Sequence, residues 1–253
     1  MGKLENKVAL VTGASSGMGK AIATLFAKEG AQVIPVARRI ERLEALVKEI
    51  KADGGEAIAV AGDVTSEDDI QNAIKTAIDN YGKLDIVVNN AGLLDKTDPI
   101  DLLDDETWNN VFNVNVNGHM RLMRAAVPIF KKQGGGAFVN VTSIAAITGA
   151  HSGPAYTASK HAALGLSKNT AFFFAKDNIR SNAICPGYVD TEMVAGLGDV
   201  NQEGLETVSL GAGANPRMGS PEEIAQLAVF LASDDASFVN GAVVSADAGW
   251  AAY

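Results

Sequence analysis

Short apolar runs alternate along the chain with apolar stripes at helical spacing. "KVALVTG" (7–13) is an apolar run ending in glycine and predicts a buried strand. Ile22, Leu25 and Phe26 share one face of a helix predicted over 17–29, and Gly30 supplies its stop. "AQVIPVA" (31–37) predicts a second strand, made irregular by Pro35, which has no ladder donor. Leu43, Leu46, Val47 and Ile50 stripe the next helix. "EAIAVAGDV" (56–64) reads as a strand. Ile70, Ala73, Ile74, Ala77 and Ile78 then mark a helix, and "LDIVVNNAG" (84–92) is a strand running into a turn.

The alternation continues with a longer helix over 105–130, the strand "GAFVNVTS" (136–143), a helix over 154–175 and the strand "IRSNAICPG" (179–187). Residues 188–219 keep no steady period. "SPEEIAQLAVFLAS" (220–233) has Ser as cap, Pro at the first helical position and Glu soon after, a strong helix start. "GAVVSADAG" (241–249) closes as a last strand. Seven strands separated by helices predict an α/β fold: a Rossmann-type, doubly wound parallel sheet with helices on both faces. No internal repeat or low-complexity linker interrupts 1–253, so a single domain is expected. Ligands of such sheets bind at the carboxyl ends of the strands.

Composition narrows the function classes. At 47% hydrophobic and 20% charged residues the 253-residue chain reads as globular. A net charge of −9 argues against a nucleic-acid partner and against an electrostatic membrane anchor. No apolar stretch reaches the ~20 residues of a membrane span. The start, "MGKLENKVALVTG", enters a strand directly, so no signal peptide is expected. The single cysteine, Cys185, fits a reducing cytoplasm and reads as a small core residue. His119, His151 and His161 have no metal-ligand spacing, so no metal is expected.

The candidate chemistry falls at strand ends. "TGASSGMG" (12–19) sets Gly13, Gly17 and Gly19 between the first strand and its helix, in T-G-x-x-x-G-x-G spacing. Glycine allows a sharp turn and close approach of a pyrophosphate, which the helix start favours. The second strand ends "PVARR", with Ala37 where an acid would mark NAD, followed by Arg38 and Arg39. Guanidinium suits a 2′-phosphate, so NADP(H) is favoured over NAD(H). In "AYTASKHAA", Tyr156 and Lys160 stand four apart and share a helix face. A tyrosine ionises near pH ~10. Moving it towards neutrality takes about 4 kcal/mol, which a neighbouring cation helps to supply.

"TGASSGMG", "GDV" (62–64), "NNAG" (89–92), "NVNG" (115–118), Ser143, "YTASK" (156–160) and "PGYVDT" (186–191) occur in that order. Through them nearly the whole chain resembles a short-chain dehydrogenase/reductase of the compact branch that includes 3-oxoacyl-carrier-protein reductases and hydroxysteroid dehydrogenases. The resemblance implies Tyr156 as acid/base, Lys160 as the cation beside it, Ser143 as hydrogen-bond donor to the substrate oxygen and Asn115 as support for a proton path. Asn113 and Asn117 are neighbouring alternatives to Asn115. It implies cofactor contacts from Gly13, Ser15, Ser16, Gly17, Met18, Gly19, Arg38, Arg39, Asp63, Val64, Asn90, Ala91, Gly92, Tyr156, Lys160, Pro186, Gly187, Val189 and Thr191.

The implied reaction interconverts a ketone and a secondary alcohol. Residues 192–215 would form a substrate lid, and Leu93, Leu94, Ala145, Ile147, Tyr188 and Met193 an apolar wall. Such a wall favours a steroid, bile acid or fatty-acyl chain over the alternative of a polyol or sugar. A non-catalytic cofactor sensor on the same fold would lack Tyr, Lys or Ser, and all three are present. His151, between Ser143 and Tyr156, invites a hydrolase triad, but no G-x-S-x-G elbow surrounds Ser143. It is expected at the substrate mouth or in a local hydrogen bond. The family's usual D-G-G ending is here "DAG", with Ala248 in place of glycine. A homo-oligomer, tetramer or dimer, is expected by resemblance.

Overall fold

Val8–Thr12 (β1) forms an inner strand of the sheet in this computed structural model, which describes residues 2–195 and 200–252. α1 (Gly17–Lys28), β2 (Gln32–Ala37), α2 (Ile40–Ala52), β3 (Glu56–Ala57), β4 (Val60–Ala61) and α3 (Glu67–Tyr81) build one half. β5 (Ile86–Asn89), α4 (Asp105–Phe112), α5 (His119–Gln133), β6 (Gly136–Val141), α6 (Pro154–Phe173) and β7 (Ile179–Pro186) follow. α7 (Glu192–Ala195), α8 (Gln202–Ala212), α9 (Pro221–Ala232) and β8 (Val243–Ala246) complete the described elements. All strand pairings are parallel, in the order β3-β2-β1-β5-β6-β7-β8, with β4 also on β2. The expected doubly wound sheet is borne out. Its strand order reverses between β1 and β5, which opens a crevice at their carboxyl ends.

Period-two alternation assigns the two faces. Ala9 and Val11 join Val33, Val88 and Val139 in the layer under α1, α2 and α9. Val8 and Leu10 point the other way, with Ile34, Val87 and Phe138, into the layer under α3 and α5. A buried polar chain crosses the sheet among these residues. Asn89 Nδ2 donates to Asn140 Oδ1 (2.8 Å), and Asn140 Nδ2 donates to Ser167 Oγ (2.9 Å) and Ser181 Oγ (3.1 Å).

Three sequence expectations need correction. The strand expected over 56–64 is two short strands, broken beside Pro35, whose ring nitrogen cannot donate to a neighbour. The helix expected over 105–130 contains a π-helical stretch, Asn113–Gly118, between α4 and α5. The period-free stretch 188–219 holds α7 and α8, while residues 196–199 of the expected lid lie outside the described residues. α8 hid because Gly204 is its only fully buried residue, so it shows no apolar stripe. Gly204 packs on the Thr97 carbonyl, where a side chain would clash.

Ala248, the departure noted at the C-terminal strand, is exposed and adopts φ 56°. Left-handed backbone costs a β-carbon about 1 kcal/mol. Ala248→Gly is therefore expected to raise Tm by about 2–4 °C in a chain of this size, less a part returned through unfolded-state entropy. A thermal melt checks it, and an unchanged or lower Tm would contradict the strain.

Candidate active site

The glycine turn leaves β1 with Gly13 at φ 66° and Gly17 at φ 52°, conformations that side chains resist. A β-carbon on Gly13 would stand 2.8 Å from Asn90 Nδ2, and one on Gly19 would press on the Gly13 carbonyl. Asn90 holds the turn by donating through Nδ2 to Thr12 O (2.9 Å). Thr12 Oγ1 accepts from the backbone of Asn90 (3.0 Å) and Ala91 (3.1 Å) and donates to Val88 O (3.1 Å). The quoted motifs included this threonine, but only the structure shows it pinning "NNAG" to the glycine turn.

A cleft of about 410 Å³ opens along these strand ends. Gly13, Ser15, Ser16, Gly17, Met18, Gly19, Arg38, Arg39, Asp63, Val64, Asn90, Ala91, Gly92 and Thr191 all line it, as do Ala37, Val114 and Glu192. Of the expected contacts, Tyr156, Lys160, Pro186, Gly187 and Val189 do not line this cleft. Val189 is buried and bridges to Gly219 instead. α2 begins only at Ile40, so Arg38 and Arg39 precede the helix. Arg39 Nη2 donates to Ser15 Oγ (2.9 Å) and Ser16 Oγ (3.1 Å), laying a cation over the glycine loop. The Asp63 carboxylate accepts from Thr65 N and Thr65 Oγ1, both at 2.8 Å, and Ser66 caps α3.

The second group gathers where β6, α6 and the π-helical stretch meet. Ser143 ends the strand run and caps a short turn, its Oγ accepting from Ala145 N (3.1 Å). Thr142 points to the opposite face and bonds Ile184 O (2.8 Å) and the Cys185 thiol (3.1 Å), as strand alternation requires. Pro154 opens α6, and Asp95 supplies the cap that Gly153 lacks by accepting from Tyr156 N (2.8 Å). Asp95 is 3% exposed and was not signalled by any motif. Burial pushes the Tyr156 phenol up to about 12, opposed by its hydrogen bond with Ser143. Lys160 Nζ sits 5.4 Å from the centre of the Tyr156 ring and donates to Val141 O (3.3 Å). Burial pulls its ammonium down to about 8.

Asn115, fully buried, accepts from Leu93 N (2.7 Å) and donates to Leu93 O and Ser159 Oγ, each at 2.9 Å. It thereby ties the β5 loop to α6, and the π-helical widening sets it there. Asn113 turns away, accepting from Arg121 Nη1 (3.0 Å) and Asn117 Nδ2 (3.4 Å). His119 is buried behind Ala91, its Nδ1 without a partner among the described residues and its pKa pulled down to about 3 by burial and the Lys160 charge.

His151 makes no triad. Its ring packs at a tilt against Trp250 with centroids 4.2 Å apart, and Trp250 donates to Gly211 O of α8 (2.8 Å) and packs at a tilt against Tyr188 at 4.7 Å. The His151 Nδ1 has no hydrogen-bond partner among the described residues, which corrects the expected local bond. Of the expected apolar wall, Leu93, Ile147 and Met193 are exposed at about 40% each, while Ala145 is fully buried.

A family model described as enoyl-(acyl carrier protein) reductase matches residues 13–251. The 3beta-hydroxysteroid dehydrogenase 2 of Eggerthella lenta is 39% identical over 99% of this chain and 96% of its own length. The 3-oxoacyl-[acyl-carrier-protein] reductase of Thermotoga maritima is 40% identical over 98% of each chain. A solved structure from Beutenbergia cavernae, with NADP bound at low occupancy, superposes with a TM-score of 0.88 at 34% identity over 99% of this chain and 98% of that one. With the parallel sheet and its glycine turn, these matches show that the chain belongs to the short-chain dehydrogenase/reductase family, oxidoreductases of alcohol and ketone groups.

Proposed function

We propose that this chain reduces a hydrophobic ketone to a secondary alcohol, and runs the reverse oxidation, with NADP(H) as its preferred cofactor and Tyr156 as its acid/base. One observation carries the reading. Ser143 and Lys160 flank the Tyr156 phenol at the end of β6, next to a cleft whose β2 wall ends in Ala37, Arg38 and Arg39.

The cleft suits a dinucleotide. Its loop glycines let the backbone pass close to Asn90 and Thr191, where a β-carbon would clash, and the buried Asn90 Oδ1 beside them, without a partner among the described residues, is an acceptor matched to a hydroxyl or amine donor. Gly13, Gly17 and Gly19 would take the pyrophosphate, Asp63 and Val64 the adenine end, and Arg38 with Arg39 a 2′-phosphate. Bound there, the nicotinamide supplies the hydride. Tyr156 holds the proton destined for the carbonyl oxygen, and Ser143 is placed to donate to the same oxygen. Lys160 stabilises the phenolate left behind. Asn115 keeps the Leu93 loop and α6 at fixed separation beside Lys160.

Leu93, Ile147 and Met193 support an apolar substrate, as does the similarity to a hydroxysteroid dehydrogenase. Phe172 and Phe173 at the end of α6 are 83% and 66% exposed and Phe238 before β8 is 100% exposed, which supports burial against a second copy. The buried free thiol of Cys185 agrees with a cytoplasmic setting.

The test is a panel of steroid ketones, cyclic ketones, 3-oxoacyl thioesters and keto-sugar acids, read by nicotinamide absorbance with NADPH and NADH. Turnover confined to the sugar acids would overturn the substrate reading. For the cofactor, Ala37→Asp combined with Arg38→Leu is expected to shift the NADPH-to-NADH ratio of kcat/KM at least about tenfold towards NADH. An unmoved ratio would remove the role of this strand end.

A further inference from the structure

Two cations and one anion meet at the mouth of the cleft. Arg39 precedes α2 as its N-cap and Arg42 lies three residues on in the first turn, where a helix dipole disfavours positive charge. The carboxylate of Glu192, first residue of α7, answers both. Arg42 Nη1 donates to Glu192 Oε2 at 2.6 Å, and Arg39 Nη1 lies 3.6 Å from the same oxygen. Arg39 also reaches back to Ser15 and Ser16. Glu192 lines the same cleft as Ala37, Arg38 and Arg39. The arginines hold its carboxyl below the usual carboxylate range, chiefly through the Arg42 hydrogen bond, so it is ionised at neutral pH.

A phosphate monoester arriving at Arg38 and Arg39 therefore meets an anion already seated on part of the cation cluster. We propose that Glu192 is a specificity-determining residue whose carboxylate competes with the 2′-phosphate of the cofactor for Arg39 and Arg42, and so restrains the preference for NADP(H). The inference rests on the reading that Arg38 and Arg39 face a 2′-phosphate. It explains the placement of an acid beside a cluster that would otherwise be wholly basic. The acid comes from another element than β2, so inspection of the β2 end alone misses it.

Binding of cofactor fragments separates this inference from the reading beneath it. Calorimetry would measure adenosine 2′,5′-bisphosphate and 5′-AMP on the full-length wild type, Glu192→Gln and Arg39→Met. Glu192→Gln is expected to tighten the bisphosphate about three- to tenfold, with 5′-AMP changed less than about twofold, and the gain should shrink as salt is raised. Arg39→Met is expected to weaken the bisphosphate. If Glu192→Gln leaves the bisphosphate unchanged or weaker while Arg39→Met weakens it, Glu192 does not compete and the 2′-phosphate reading stands. If the wild type binds both fragments alike and Arg39→Met changes neither, that reading falls and the inference with it. Equal tightening of both fragments would assign Glu192 to general access rather than specificity.

Discussion

Tyr156→Phe is expected to lower kcat for ketone reduction by a factor of about 10²–10⁴, the usual yield of a positioned proton donor, while the cofactor dissociation constant changes less than about twofold. The substitution removes one oxygen and keeps the ring. That ring is 9% exposed, and the Lys160 ammonium rests 5.4 Å from its centre, a contact that phenylalanine preserves. Ser143 loses its phenolic partner but still accepts from Ala145 N (3.1 Å), and it is only half-buried, so water can replace the lost bond. The backbone bond from Tyr156 N to Asp95 does not depend on the side chain. The fold and the glycine cleft should therefore persist. Single-turnover absorbance gives the chemical step, and cofactor fluorescence titration gives the affinity. Turnover within tenfold of wild type would refute the proton role, and parallel loss of cofactor affinity would point to collapse of the site instead.

The chain displayed some of this arrangement openly and concealed the rest for physical reasons. Strands buried on both faces read as apolar runs, so the order of elements and the parallel sheet were visible from Val8 to Ala246. The α9 start was legible to the residue because Ser220 and Glu223 make a reciprocal capping box. Local chemistry also exposed the glycine turn. What stayed hidden depends on partners distant in sequence. Asp95 matters because it caps a helix 61 residues on, and no periodicity marks a buried loop carboxylate. The π-helical stretch goes with contacts of Asn115 to Leu93 and Ser159, partners distant in sequence, whereas the sequence over 105–130 reads as an unbroken helix. α8 carries Gly204 and Gly211 and an 83% exposed Leu210, so propensity and pattern both argued against it. Glu192 reads as an ordinary acid until the fold brings it to Arg42, 150 residues away.

Lys160 should set the basic limb of the pH profile. With its ammonium pulled down to about 8 by burial, it is charged below that pH and neutral above it. The Tyr156 phenol, pushed up to about 12, stays protonated across the whole working range. For reduction, kcat/KM for NADPH reports the free enzyme, so it should be level below about pH 7 and fall as pH rises through about 8. His119 is held down to about 3 and remains neutral throughout, and burial raises the Cys185 thiol from its ordinary 9.0, so it keeps its proton through the fall. Asp95 faces the backbone of Tyr156 and not the ammonium. Lys160→Met removes the charge at every pH, and its kcat/KM is expected to be lower by about 10²-fold or more with the limb abolished. Lys160→Arg keeps a charge that does not titrate here, so its limb should move to higher pH even where its plateau is lower. Cys185→Ala should leave the limb in place. A limb that persists near pH 8 in Lys160→Arg, or vanishes in Cys185→Ala, would take the assignment away from Lys160. The same ammonium would then no longer explain, beside the Ser143 hydrogen bond that already opposes the rise, how a phenol raised by burial can serve as base in the oxidative direction.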